Sequence, residues 1–199
     1  MKLYGTITSP FVRRVRVVVS ELGLEHTLVD TSTAEGQAAL KTLTPIWKVP
    51  IADFGDRLVF DSRVIIDWLT MTHGWGPLEP PRDRWREANL VNAIDGALES
   101  GIQLFYLKRE GVDLTGVPFG QRQLDRITSV LGWIGGELGK GGFGEGLGLP
   151  ELALVTTLDW FDFRAVYPTD RHAVEFVNLR EALGARPSLV RTRPALPRS

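Results

Sequence analysis

The chain contains no cysteine in 199 residues. That excludes disulfides, thiolate metal sites and any cysteine nucleophile of the protein's own. Histidine is nearly as scarce. His26, His73 and His172 are far apart and form no ligand-spaced pair, so no metal centre is expected. An excess of one charge is missing too: 23 Lys and Arg stand against 24 Asp and Glu, a formal net charge of −1. Binding to a phosphate backbone calls for a basic stripe, and none stands out. The nearest candidate, Arg13, Arg14 and Arg16, reads as a solvated helix face, and no nucleic-acid partner is expected. No apolar run approaches the ~18 residues of a membrane span, so no membrane partner is expected either. Met1-Lys2-Leu3-Tyr4-Gly5 leads straight into a strand pattern without a signal-peptide profile, which makes a cytoplasmic location the expectation.

What is present is the composition of a globular protein, 43% hydrophobic and 24% charged, long enough for one large domain or two small ones. The first third alternates strand and helix signals. Lys2 to Ile7 is an apolar, β-branched run ended by Thr8, Ser9 and Pro10. Phe11 to Leu22 carries Val15, Val18, Val19 and Leu22 at helical spacing, and Gly23 stops it. Glu25 to Asp30 reads as a strand and Glu35 to Leu43 as a short, irregular helix. Val49 to Asp53 and Leu58 to Phe60 read as strands about a turn at Gly55-Asp56. Asp61-Ser62 then caps a helix over Val64 to Thr72. This β-α-β-α-β-β-α order predicts a compact α/β layer.

His73 to Asp83 holds Gly74, Gly76, Pro77, Pro80 and Pro81 and reads as a linker between domains. Beyond it the signals are helical: Arg84 to Arg109, Pro118 to Leu138, the uniformly apolar Glu151 to Val166, and an amphipathic Asp170 to Leu183. The tail from Ala185 contains Pro187, Pro194 and Pro197 and reads as mostly irregular. The glycine-rich stretch Lys140 to Gly148 follows a helix and lacks a Lys-Ser/Thr ending, so it is a connection rather than a phosphate cradle.

Three segments carry a family signature. Ser9-Pro10-Phe11-Val12-Arg13-Arg14-Val15 is similar to a serine-bearing start of a first helix. Pro45-Ile46-Trp47-Lys48-Val49-Pro50, followed by Phe60-Asp61-Ser62, is similar to an Asn-Pro-x-x-x-(Val/Ile)-Pro segment with an acidic residue and Ser behind it. Leu158-Asp159-Trp160-Phe161-Asp162-Phe163-Arg164 looks like a central helix of many bacterial relatives. In this order the three resemble the cytosolic glutathione S-transferase family over nearly the full chain, with a serine motif closest to the plant tau class. Two positions depart from the pattern: Thr44 stands where the family often has Asn, and Trp47 where many bacterial members have Gly.

The resemblance implies a thioredoxin-like N-terminal domain over residues 1–76 and an all-helical C-terminal domain over 84–199. It implies glutathione as co-substrate on the first domain, a small-molecule electrophile between the two, a homodimer and a role in detoxification. It also implies roles for particular residues. Ser9 would hydrogen-bond the glutathione sulfur, although Ser before Pro is by itself a common helix start. Thr8 and Tyr4 are the competing hydroxyls. A cis Val49-Pro50 bond would turn the Val49 backbone toward the cysteinyl backbone. Lys48 could meet the glycyl carboxylate or simply be solvated. Ser62 would take the γ-glutamyl carboxylate and Asp61 its ammonium, while also capping a helix. Phe11 and Trp47, with Gln103 or Tyr106, would line the second-substrate pocket. A non-catalytic glutathione- or ligand-binding module of the same fold is the alternative function.

Further along, Gly148-Leu149-Pro150-Glu151 keeps half of a capping box. Asp95-Gly96 reads as a packing glycine beside an interface or solvent carboxylate. Asp159, in an apolar helix, is expected to be hydrogen-bonded within the helical half.

Overall fold

The computed structural model describes residues 1–140, 143, 146–169 and 174–195. In chain order its elements are β1 (Lys2–Gly5), α1 (Pro10–Glu21), β2 (Thr27–Asp30), α2 (Ala34–Leu43), β3 (Ile51–Asp53), β4 (Leu58–Phe60), α3 (Ser62–His73), α4 (Arg84–Arg109), α5 (Pro118–Gly139), α6 (Leu149–Arg164), α7 (Val174–Gly184) and α8 (Pro187–Arg191). They fall into two compact units. Met1–Leu78 joins the described residues from Ala185 on, and Glu79–Gly184 forms the other.

The first unit is built on a four-stranded sheet in the order β2-β1-β3-β4. β1 runs parallel to β2 and antiparallel to β3, which is antiparallel to β4. Val12, Val15, Val18 and Val19 of α1 are fully buried, as are Ile65 and Leu69 of α3, and these two helices pack together. α1 lies so close to β1 that a Cβ on Gly5 would sit 2.3 Å from Val12 Cγ2. No other residue leaves room for that approach. α2 is a regular ten-residue helix, not the irregular one expected, because Thr33 caps it through the Gly36 N–H at 3.0 Å.

The basic face of α1 overturns its reading as solvated. Arg13 and Arg14 are each only 2% exposed. Arg13 donates from Nε to Thr192 Oγ1 (3.4 Å) and from its terminal nitrogen to the Leu189 carbonyl (3.3 Å). Those acceptors lie on or just after α8, a short helix in the tail expected to be irregular. Glu21, at the far end of α1, accepts from Arg186 Nε at 2.9 Å and from Ser188 Oγ. The tail thus covers α1 through paired polar groups, as buried charge requires.

The second unit is helical. α6 buries every residue from Pro150 to Leu158, and α4 packs against both α5 and α6. Gly101 of α4 admits the Phe161 ring; a Cβ there would lie 2.4 Å from Phe161 Cε1. Glu151 keeps the half capping box, its Oε2 accepting from the Gly148 N–H at 3.1 Å. Asp159 is half-buried and lies 3.5 Å from Arg180, which also reaches Asp162 at 2.8 Å. Asp95 is buried at 7% exposure, and a Cβ on Gly96 would meet nothing within 4 Å. The reading of that pair as a packing glycine beside an interface or solvent carboxylate is therefore corrected for the glycine, which faces open space, and for the solvent alternative, since the carboxylate is inside.

Within the glycine-rich stretch Phe143 and Leu147 are buried, and the Gly146 N–H donates to Glu79 Oε2 at 2.7 Å. The rest of that stretch (141, 142, 144 and 145) lies outside the described residues, as do 170–173 at the expected start of the last amphipathic helix. Among the described residues no helix is long and apolar enough to cross a membrane, and no three His, Asp or Glu side chains cluster as metal ligands would.

Candidate functional site

Sheet register decides where the three candidate segments of the first unit meet. Tyr4, beside the end of β1, pairs with Ile51, the start of β3. Ile51 in turn pairs with Phe60, the end of β4. The chain leaving β1 toward Ser9, the chain entering β3 through Val49-Pro50, and the chain leaving β4 into Asp61-Ser62 therefore share one end of the sheet.

Ser9 is the N-cap of α1. Its N–H bonds the Thr6 carbonyl at 3.1 Å, and its Oγ accepts from the Val12 N–H at 3.3 Å. The hydroxyl proton is not used by that cap, so capping leaves Ser9 a donor. The competing hydroxyl of Thr8 is engaged with Thr6 Oγ1 at 3.3 Å. Tyr4 is half-buried within β1. Phe11, at the second residue of α1, is half-buried, with the Arg14 guanidinium 5.0 Å from its ring centroid.

The Val49-Pro50 bond is cis. Pro50 is buried, and the backbone N–H and C=O of Val49 find no hydrogen-bond partner among the described residues. Lys48 is exposed and has no ion-pair partner among them. Trp47 is 59% exposed and takes φ +50°, a left-handed conformation uncommon outside glycine. The Lys41 ammonium lies 5.8 Å from the Trp47 ring centroid. Thr44, three residues earlier, buries its Oγ1 without a hydrogen-bond partner. Neither the cation beside the indole nor the orphaned hydroxyl had a signal in the sequence, since both depend on how α2 ends.

Asp61 caps α3 from another left-handed conformation, φ +73°. Its Oδ1 accepts from the Arg63 N–H at 2.8 Å and lies 3.7 Å from Arg63 Nε. Ser62 is the first residue of α3 and is 3% exposed. Two non-glycine residues with positive φ within one candidate site fit the tendency of backbone strain to gather where a ligand is held. The N-terminal end of α3 gives that corner a partial positive charge. The end of the sheet thus offers a hydroxyl donor, an unpaired strand-like backbone, an ammonium and a helix N-terminus with a carboxylate. That set complements a small zwitterionic peptide. In the helical unit, Gln103 and Tyr106 lie exposed on α4.

Comparison with known proteins gives a consistent outcome. Models of the glutathione S-transferase N-terminal and C-terminal domains match residues 3–81 and 117–190. An Escherichia coli K12 protein, the uncharacterized GST-like protein YibF, is 26% identical over 98% of both chains. Glutathione S-transferase 4 of Zea mays is 33% identical over 44% of each chain. A glutathione S-transferase from Methylobacterium radiotolerans, solved with glutathione sulfonate, shares the fold at a TM-score of 0.85 and 24% identity, over 100% of this chain and 96% of that one. A glutathione transferase family member from Pseudomonas fluorescens Pf-5, solved with bound glutathione, superposes at 0.80 with 25% identity, over 98% and 99%.

Proposed function

The chain belongs to the glutathione S-transferase family, and on that premise we propose that Ser9 donates a hydrogen bond to the sulfur of glutathione, holding it as the thiolate that attacks an electrophilic small molecule. The observation that carries this reading is the register, which gathers Ser9, Val49 and Ser62 at one end of the sheet. Val49 would pair its free N–H and C=O with the cysteinyl backbone as an added strand does. The first turn of α3 and Ser62 would take the γ-glutamyl carboxylate. Asp61 would meet the ammonium, in competition with Arg63 3.7 Å away. Lys48 is free to meet the glycyl carboxylate, and Phe11 and Trp47 supply apolar surface beside the sulfur.

The energies suffice without a general base. A free thiol titrates near 8.5, and lowering it by ~2 units requires ~2.7 kcal/mol of preference for the thiolate. A hydrogen bond to a charged acceptor supplies roughly 1.5–3 kcal/mol. The positive end of α1 adds about 0.3–1 kcal/mol. Once formed and held in place, the thiolate is itself the nucleophile. The wider reading is a homodimer acting on small electrophiles in the cytoplasm, in a detoxifying role. Light scattering should then return twice the 22.1 kDa of one chain.

Two measurements test the chemistry. Titration calorimetry should detect glutathione binding; no heat at millimolar ligand removes every glutathione-based reading. Ser9→Ala should keep binding but lose about 10- to 100-fold in turnover of a chromogenic electrophile. The pH profile of its residual activity should move up toward the free-thiol value. Equal rates would leave Ser9 as a helix cap only. Binding without turnover of any electrophile would favour the non-catalytic module.

A further inference from the structure

The third arginine of the basic run on α1 has none of the hydrogen bonds that hold Arg13. Arg16 is half-buried, and its Nε is buried without a partner. Among the described residues no hydrogen bond or ion pair engages its guanidinium. Arg13, one turn earlier, presses a like charge on Arg16, and Arg16 presses its own on His26. His26 is half-buried and lies just ahead of β2. Thr27 pairs with Lys2, and its N–H bonds the Met1 carbonyl at 3.0 Å, so His26 stands beside the amino terminus. Glu25, the chain neighbour of His26, is exposed and meets the Met1 amino group through its backbone carbonyl at 3.5 Å, not through its carboxylate. Lys2 and Thr27 open β1 and β2, so this corner lies at the end of the sheet opposite Ser9, Val49 and Ser62.

Burial, and after it the charge of Arg13, holds the Arg16 guanidinium below its usual range. Burial, then Arg16, then the amino terminus do the same to the His26 imidazole. The charges acting on both groups are thus all positive. Cations gathered in a partly dry corner repel one another, and an orphaned donor there is costly unless an acceptor arrives. A guanidinium fork answers two oxygens with parallel bonds. A carboxylate then has no third oxygen left for the imidazole, whereas a tetrahedral oxyanion has. Once protonated, that imidazole is a donor at both nitrogens.

We propose that Arg16 and His26 form a site for a tetrahedral oxyanion of the phosphate or sulfate type, at the end of the sheet opposite the candidate glutathione site. Its occupation is linked to protonation of His26. The site stands whether or not the chain binds glutathione.

The test uses the whole chain without glutathione and sulfate as probe, because sulfate does not itself titrate near neutral pH. Sodium chloride at matched ionic strength is the control. Calorimetry should show sulfate binding that strengthens as pH falls from about 8 to about 5.5, the range in which His26 gains its proton. In NMR titrations the His26 ring midpoint should move up by about one unit with sulfate, as a new counter-charge requires. His73, beside Trp68 at 6.1 Å, should not move. Arg16→Gln should weaken sulfate about tenfold. His26→Gln should keep the weaker binding seen near pH 8 and lose the pH dependence, with an unchanged melting temperature. Four outcomes overturn the proposal: no sulfate binding at tens of millimolar, an equal response to chloride, a His26 midpoint that ignores sulfate, or binding that survives Arg16→Gln but is lost in Lys48→Ala, which would put the anion at the other end of the sheet. Inorganic phosphate against methyl phosphate then distinguishes the free ion from an esterified phosphoryl group, and tighter binding of either sustains the site.

Discussion

At the scale of single residues, two positions hold structure that a neighbouring residue type would undo. Gly101 sits mid-helix, where alanine is intrinsically better by up to ~1 kcal/mol. Its missing side chain is what admits Phe161, which is fully buried. Gly101→Ala should therefore destabilise the chain by about 1–2 kcal/mol net, since overpacking typically costs ~1–3. Urea denaturation checks this, and adding Phe161→Leu should return most of the loss. A gain in stability from the single change would contradict the packing. Glu151 carries the opposite kind of stress. Burial, above all, lifts its carboxyl from 4.5 to about 7; its own N–H and that of Gly148 pull it down, while Glu79 and Glu87 push it further up. Its Oε1 is buried without a partner. A carboxyl that holds its proton more tightly when folded contributes fully below pH 4.5, and that contribution is lost as pH rises through about 7. Glu151→Gln should flatten the stability profile between pH 5 and 8, removing a slope of up to roughly 3 kcal/mol. Parallel profiles for variant and wild type would show that Glu151 does not titrate in this range.

Among the elements, α8 is the one with consequences out of proportion to its length. Its N-cap Arg186 and its Ser188 hold Glu21, and its Leu189, with Thr192 just beyond it, receives Arg13. Burial pushes the Glu21 carboxyl up, but hydrogen bonds from Arg186 and Ser188, with the charges of Arg186 and Arg191, outweigh it and leave it lowered. That contribution is present at neutral pH and is lost as pH falls through the folded value. Arg186→Ala should strand Glu21, 9% exposed, and cost about 2–4 kcal/mol; Arg186→Met with Glu21→Gln should cost less. Denaturation of the two variants decides it, and equal losses would mean that packing rather than charge holds the tail. This is also where the sequence was least legible. Long elements such as α4 had a helical period to read, and the bounds Arg84 to Arg109 were visible in full. A five-residue helix is too short for a period, although Pro187 at its first position was a usable start signal. The burial of Arg13 was invisible because its acceptors lie 176 and 179 residues away. In the candidate site, Ser9, Val49-Pro50 and Asp61-Ser62 were legible as motifs. The positive φ of Trp47 and Asp61 was not, since residue type argues against it.

For the molecule as a whole, ligand binding and stability are one measurement. If glutathione occupies the end of the sheet, concentrations near 100 times Kd should add about 2.7 kcal/mol and raise the melting temperature, and an unchanged melting curve under saturating glutathione would remove the proposed site. Net charge close to zero gives no long-range field to steer nucleic acid, so heparin should retain the chain weakly at physiological salt. The return of the tail to α1 has a further consequence, for synthesis. Arg13 leaves the ribosome well before Leu189 and Thr192, which follow only after the whole helical unit has been translated. Through that interval the nascent layer that carries α1 lacks the cover that Leu189 and Thr192 give Arg13, so a part translated early is completed late.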